Sequence, residues 1–232
     1  MMPRKKQNHT NTANTVSETS CKEVLDNGRQ NTASGVYNIN FGNEVKPVYC
    51  DMNTAGGGWT VIQRRGDFGN PQDYFLRNWT EYKNGFGDLK EDHWLGLEKI
   101  HLLGIGKQQE LLIELEDFEG NKTSVIIIDF QVGDEQSKYT LTYTNYTNSY
   151  GESLLRSGLQ FSTIDRDNDQ HNSQSCAQVY SGAWWYKNCH QANINGLYLR
   201  GPHTTFANGV NWKSFRGHHY SLKNTEMKVR AV

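Results

Sequence analysis

The sequence predicts an ordered, turn-rich domain built from several strands and one short helix. Three observations carry that reading. Gly is abundant at 22 residues, Pro is scarce at 4, and aromatic residues reach 12%, a mix unlike that of a disordered chain. Two-residue alternation of apolar and polar side chains recurs, whereas helical spacing shows once. The 232 residues suffice for one large domain or two small ones with a sizeable core.

Residues 1–20 are polar, rich in Thr and Asn, and read as a disordered tail or linker. GVYNINF (35–41) and KPVYCDM (46–52) are two short strands joined through FGNEV. The glycines of AGGGWTVIQRR make a turn into a strand that begins at Trp59. A phosphate loop is the functional alternative, but its Lys-Ser/Thr ending is missing. Trp94, Leu97, Ile100 and His101 fall at helical spacing and give the one short helix. LLIELEDF (111–118) sets Ile113, Leu115 and Asp117 against Glu114 and Glu116, so one face of this strand is wet. SVIIIDF (124–130) has four consecutive β-branched residues, Val125 to Ile128, as a strand buried on both faces does. KYTLTYTNYT (138–147) alternates Tyr139, Leu141 and Tyr143 against threonines, as one further strand. From 160 to 215 periodicity vanishes, and a stretch of that length in a compact domain reads as its functional half. TEMKVRAV (225–232) closes the chain as a strand with Met227, Val229 and Ala231 on one side.

Lys and Arg number 24 against 25 Asp and Glu, so no broad charged field points to nucleic acid. No apolar run approaches the roughly 18–20 residues of a membrane span. The start lacks the apolar core of a signal peptide, which fits a mature end or an intracellular chain. Four cysteines, Cys21, Cys50, Cys176 and Cys189, allow three pairings, of which the local one, Cys21–Cys50 with Cys176–Cys189, is simplest. Neither pair has the C-x-x-C spacing of zinc or thioredoxin-like sites. With four N-x-T sequons, at Asn8, Asn78, Asn121 and Asn145, the even cysteine count favours a secreted glycoprotein.

FSTIDRDNDQHNSQSC (161–176) crowds Asp165, Asp167 and Asp169 at every second position. Alternating acids suit a hard cation such as calcium, which takes about six to eight oxygens. An EF-hand fails, because Gln170 stands where its Gly belongs and Cys176 where its Glu belongs. The plain alternative is a solvated loop whose Asp and Asn side chains cap turns.

CDMNTAGGGWTVIQRR, YKNGFGDLKEDHWLGLEKIH, FSTIDRDND, GAWWYKNCH, NGLYLRG and YSLKNTEMKVR, in this order, closely resemble the fibrinogen-like domain over residues 21–232. GAWWYKNCH and the end of the chain are most similar to the ficolin and tachylectin lectins. The resemblance implies an α+β domain with a small N-terminal part, a central twisted antiparallel sheet with short helices, and a loop-rich C-terminal part that binds calcium and ligand. It implies the two local disulfides. It assigns calcium to the side chains of Asp167 and Asp169 and the carbonyls of His171 and Ser173, and leaves Asp165 to brace the turn. Trp184 and Trp185 read as core aromatics around the disulfide.

The same resemblance implies a cis peptide at Asn188–Cys189 that turns the N–H groups of Cys189 and His190 outward together. Two converging donors suit one carbonyl oxygen, and Tyr180, His190, Phe206, Ala207 and His218 would wall a hollow for the methyl of an acetyl group. The implied function is a secreted, calcium-dependent lectin for N-acetylglucosamine-type glycans in innate recognition, working as a homo-oligomer because single shallow sites bind weakly. Phe206 stands where several acetyl-binding relatives carry Tyr, and His218 where they often carry Tyr or Trp. His190, titrating near its usual value of about 6.5, is expected to make binding pH-dependent. The alternative is a protein-binding ligand domain, as in angiopoietins and fibrinogen. G-x-S-x-G, H-E-x-x-H and P-loop motifs are missing, and an enzyme is not expected.

Overall fold

The computed structural model describes residues 16–28, 32–154 and 156–232. The tail expected over residues 1–20 lies outside these as far as residue 15. Residues 16–20 are docked: the Asn40 N–H donates to the Glu18 carbonyl at 2.8 Å, and the Ser20 side chain accepts the Glu23 N–H. That cap starts α1 (Cys21–Asn27). β1 (Gly35–Asn40) and β2 (Val45–Asp51) form the expected hairpin, and the Cys21–Cys50 disulfide ties α1 to it. Gly56, Gly57 and Gly58 then turn the chain at φ 89°, 75° and 77°. A Cβ at Gly57 would meet the Met52 carbonyl at 2.3 Å, so this turn into β3 (Trp59–Arg65) requires glycine.

α2 (Trp79–Asn84) has no apolar periodicity to announce it. It is set by a capping box in which Asn78 and Glu81 each accept the other's backbone N–H. β4 (Phe86–Gly87) and β5 (His93–Trp94) make a small hairpin on β3. Trp94 is therefore in a strand, not on the helix. Gly96, at φ 108°, separates it from α3 (Leu97–Gly104), which buries Leu97, Ile100 and Leu103.

β6 (Gln109–Glu116) and β7 (Lys122–Ile128) pair along their whole length. Contrary to expectation, β7 is buried on one face only: Val125 and Ile127 are buried, while Ile126 is half-buried and Ile128 is 39% exposed. The cause is register: Ile128 pairs with Glu110 and Ser124 with Glu114, so Ile126 and Ile128 share the face on which β6 presents its glutamates. Residues 138–147 are not one strand either. Lys138 and Tyr139 have φ of 57° and 50°, after which β9 (Leu141–Thr142) pairs with β8 (Gln131–Val132), and β10 (Asn145–Tyr146) pairs with β7.

The C-terminal region holds only short pieces: α4 (Cys176–Val179), β11 (Ala192–Asn193), β12 (Gly201–Pro202), β13 (Asn211–Trp212), α5 (Lys213–Arg216) and β14 (Tyr220–Ser221). The last strand, β15 (Asn224–Ala231), returns to the middle of a nine-stranded antiparallel sheet ordered β1-β2-β3-β15-β6-β7-β10, with the β4–β5 hairpin attached to β3. The fold is α+β. Trp79, Trp94, Trp184, Trp185 and Trp212 are buried in one continuous core, and Trp59 is buried apart from it, beneath Arg230. β15 places Met227 and Val229 in that core and buries Lys228 on its other face, where Nζ lies 2.7 Å from Asp51 and 2.6 Å from both Glu114 and Glu226. Among the described residues no helix is long and apolar enough to cross a membrane.

Candidate calcium loop and ligand hollow

The aspartate segment is anchored at both ends. Ser162 and Trp184 exchange backbone hydrogen bonds at 3.0 and 3.2 Å, and Thr163 and Arg166 close a tight turn. Within that turn Asp165 faces away from the other two aspartates. Its Oδ1 accepts the Trp79 N–H at 2.9 Å and the Thr163 hydroxyl at 2.7 Å, so it caps the first turn of α2. Arg166 lies 4.1 Å above the Trp79 ring, a second tie to the same helix.

Asp167 and Asp169 are neighbours. Asp167 Oδ1 accepts the Asp169 N–H at 3.1 Å, and Asp169 accepts the N–H groups of His171 and Cys176, each at 2.7 Å. Burial, together with the adjacent Asp167 carboxylate, holds the Asp169 carboxyl above its usual range in spite of those two donors. Among the described residues the carbonyls of His171 and Ser173 accept no hydrogen bond. Two adjacent carboxylates and two uncommitted carbonyls are oxygen donors of the kind that calcium takes. A different acidic group, Asp51, Glu114 and Glu226, also brings its oxygens close together, but the Lys228 ammonium already fills it.

Two links carry the aspartate loop to the NCH segment. The Gln170 N–H donates to the Lys187 carbonyl at 2.8 Å, and Cys176, bonded to Asp169, forms a disulfide with Cys189. The Asn188–Cys189 peptide is cis, and the Asn188 side chain is exposed. Among the described residues neither the Cys189 nor the His190 N–H has a hydrogen-bond partner.

The five expected wall residues come together beside these donors. The His190 ring packs edge-on against Tyr180 at 4.7 Å and lies 5.9 Å from His218, and Phe206 is 5.1 Å from His218 and 6.5 Å from Tyr180. Ala207, at φ 59°, donates its N–H to the His218 carbonyl at 3.0 Å. Phe206 is 58% exposed and forms the open rim. Among the described residues, both ring nitrogens of His190 and Nδ1 of His218 are enclosed without a hydrogen-bond partner. Burial, and then His218, push His190 down to about 3, far from the free imidazole value expected from the sequence.

Sequence reading missed two residues that hold this arrangement. Asn193 is fully buried, and its Nδ2 donates to the carbonyls of Tyr180, Ala207 and Gly209, joining both walls. Tyr186 donates its hydroxyl to Asn193 Oδ1 at 2.6 Å, and its ring lies tilted 5.6 Å from that of His190. No hydrophobic period marks either one: the partners of Asn193 Nδ2 lie 13 to 16 residues away, and the Tyr186–Asn193 bond spans seven residues of irregular chain.

This sheet, its two disulfides and its loop-built C-terminal region are the architecture of a fibrinogen-like globe. The family model for the C-terminal globular domain of fibrinogen beta and gamma chains matches residues 17–232, and the chain belongs to that family. Techylectin-5A of Tachypleus tridentatus is 45% identical over 221 residues, covering 92% of this chain and 74% of that protein. Human Fibrinogen C domain-containing protein 1 is 47% identical over 221 residues, covering 91% of this chain but only 46% of that longer protein. The fibrinogen-like globe domain of human ANGPTL6 superposes with a TM-score of 0.85 at 37% identity, covering 94% of this chain and 97% of that one. Lamprey fibrin D-dimer, in complex with the peptide Gly-His-Arg-Pro-amide, superposes with a TM-score of 0.82 at 32% identity, covering 97% of this chain and 77% of that one.

Proposed function

We propose that this chain is a secreted lectin domain that takes the acetyl group of N-acetylated sugars into the hollow walled by Tyr180, His190, Phe206, Ala207 and His218. The observation that carries the reading is the pair of unpartnered N–H groups at Cys189 and His190 beside that hollow. An acetyl oxygen accepts from both donors while its methyl lies against Tyr180, Phe206 and Ala207. A free amine in place of the acetamide leaves those donors without an acceptor, which is the basis of selection. Kinship with a tachylectin supports the same reading.

Asp167 and Asp169, with the carbonyls of His171 and Ser173, would hold calcium, which supplies fixed positive charge between the two carboxylates. The chain itself carries loop order to the hollow, through Asp169 to Cys176 and through Gln170 to Lys187. Two closed disulfides and no free cysteine among the described residues support secretion. Homo-oligomerisation would raise the avidity of single weak sites. Recognition of a protein or peptide by the same loops is the second reading, supported by the angiopoietin-like and peptide-bound fibrin neighbours.

The test is retention on immobilised N-acetylglucosamine against immobilised glucosamine, with calcium and then with a chelator. Retention on the acetylated resin alone, released by the chelator, is the expected result. Equal retention on both resins refutes acetyl selection, and chelator-resistant binding refutes the calcium role.

A further inference from the structure

One wall of the hollow is mounted on the central sheet. His218 lies in the segment Gly217-His218-His219, between α5 and β14. The side chains that flank this segment, Arg216 and Tyr220, converge on the turn of residues 117–121 between β6 and β7. Arg216 Nη1 donates to Asp117 Oδ2 and, at 2.9 Å, to Glu119 Oε2. The Tyr220 hydroxyl donates to Glu119 Oε2 at 2.5 Å and accepts the Phe118 N–H at 2.9 Å. The Arg216 guanidinium also lies 4.0 Å from the centre of the Tyr220 ring, so the two anchors brace each other.

The turn is closed by its own bonds. The Asp117 N–H donates to the Asn121 carbonyl at 3.0 Å, and the Asp117 carboxylate accepts the Asn121 N–H and Nδ2, each at 2.8 Å. It joins two strands that pair along their whole length. The two carboxylates serve Arg216 unequally. Glu119 is half-exposed, and an ion pair there contributes little. The Asp117 side chain is fully buried, where losing one partner of a charge pair is costly, so Asp117 is the main anchor.

The segment in turn holds the rim. The His218 carbonyl accepts the Ala207 N–H at 3.0 Å, and the His219 carbonyl accepts the His203 N–H at 2.9 Å. Between those two bonds the Phe206 ring lies 5.1 Å from His218 and 5.5 Å from His219. Phe206, Ala207 and His218 therefore reach the sheet through the 117–121 turn. The opposite wall, Tyr180 and His190, follows Cys176 and Cys189 in the chain and is placed by their disulfide.

We infer that Arg216 and Tyr220 are positioning residues, through which the 117–121 turn sets the distance between the two walls of the hollow. Both act through the backbone of His218 and His219. The consequence for ligand rests on the acetyl reading above, but the placement of the wall is measured without sugar.

Arg216→Gln removes the cation from Asp117, and Tyr220→Phe removes the hydroxyl while keeping the buried ring. Each full-length variant is followed by amide hydrogen exchange without sugar, then by isotherms for methyl N-acetylglucosaminide. Both should exchange the His203 and Ala207 amides several-fold faster, with the amides of β3 and β15 unchanged, and should bind the sugar roughly fivefold more weakly. Arg216→Lys, which keeps a cation at Asp117, should fall between Arg216→Gln and wild type in both readouts. Unchanged exchange at His203 and Ala207 overturns the mount. Faster exchange there with unchanged affinity overturns the positioning role, as does an equal rise in β3 and β15, which marks a general loss of stability. Where wild type itself does not bind the sugar, the acetyl reading fails, and the exchange rates alone decide whether the turn mounts the wall.

Discussion

Acidification should leave ligand binding flat while weakening the fold, and His190 separates the two effects. An unperturbed imidazole titrates at 6.5, and burial with His218 takes His190 down to about 3. A base whose pKa falls on folding is protonated more readily in the unfolded chain. Its contribution to stability is therefore complete above pH 6.5 and is lost progressively as the pH drops toward 3. At about pH 5 the loss amounts to at most ~2 kcal/mol, from ~1.4 kcal/mol per pH unit over the interval crossed. The ligand meets a neutral His190 throughout roughly pH 5 to 8, so binding does not follow the free imidazole curve expected from the sequence. The assay is urea unfolding of wild type and His190→Gln at about pH 7 and 5, followed by tryptophan fluorescence, with sugar isotherms at the same pH values. His93, His203 and His218 are also held below their usual value, chiefly by burial, and destabilise both proteins on acidification. Only the difference between the two slopes reports His190. Identical pH dependence in both proteins refutes the reasoning, as does a wild-type binding midpoint near pH 6 that His190→Gln removes.

Three further outcomes are expected. Asp165→Ala removes the acceptor for the Trp79 N–H and should cost about 1 kcal/mol in thermal unfolding, with calcium affinity unchanged by calorimetry; a large fall in affinity would make Asp165 a ligand. Lys228→Met leaves three carboxylates facing one another and should cost roughly 3–5 kcal/mol, read as a lower urea midpoint; a variant as stable as wild type contradicts the pairing. Phe206→Ala strips the exposed rim and should weaken N-acetylglucosamine binding by about 1 kcal/mol, or roughly fivefold, with no change in melting temperature because the ring is 58% exposed.

Elements with strong local periodicity were legible in the sequence: the β1–β2 hairpin, β3, β6 and β15 lie where alternation and turn residues put them. The errors share one cause. Val125 to Ile128 look doubly buried because β-branched runs favour any strand, yet only the cross-strand register shows that Ile126 and Ile128 share the face of Glu110 and Glu114. The Tyr/Thr alternation over 138–147 is real, but the left-handed backbone at Lys138 and Tyr139 breaks the strand that it implies. α2 was announced by Asn78-x-x-Glu81, a polar signal that apolar spacing cannot register. In the candidate site, the two disulfides follow the local pairing. The residues that hold the hollow together, Asn193 and Tyr186, act through bonds across irregular chain that no periodic pattern registers.

The position of β15 sets a timetable for synthesis. Thr225 pairs with Arg65 on one side and Leu115 on the other, so the middle of the sheet is its last part to leave the ribosome. Until residue 224 emerges, β3 and β6 are two finished strands with nothing between them. The facing edges of β3 and β6 therefore stay unsatisfied until residues 224–231 are available to pair with both. A premature stop even slightly upstream of residue 224 does not trim the sheet's margin but leaves it in two halves.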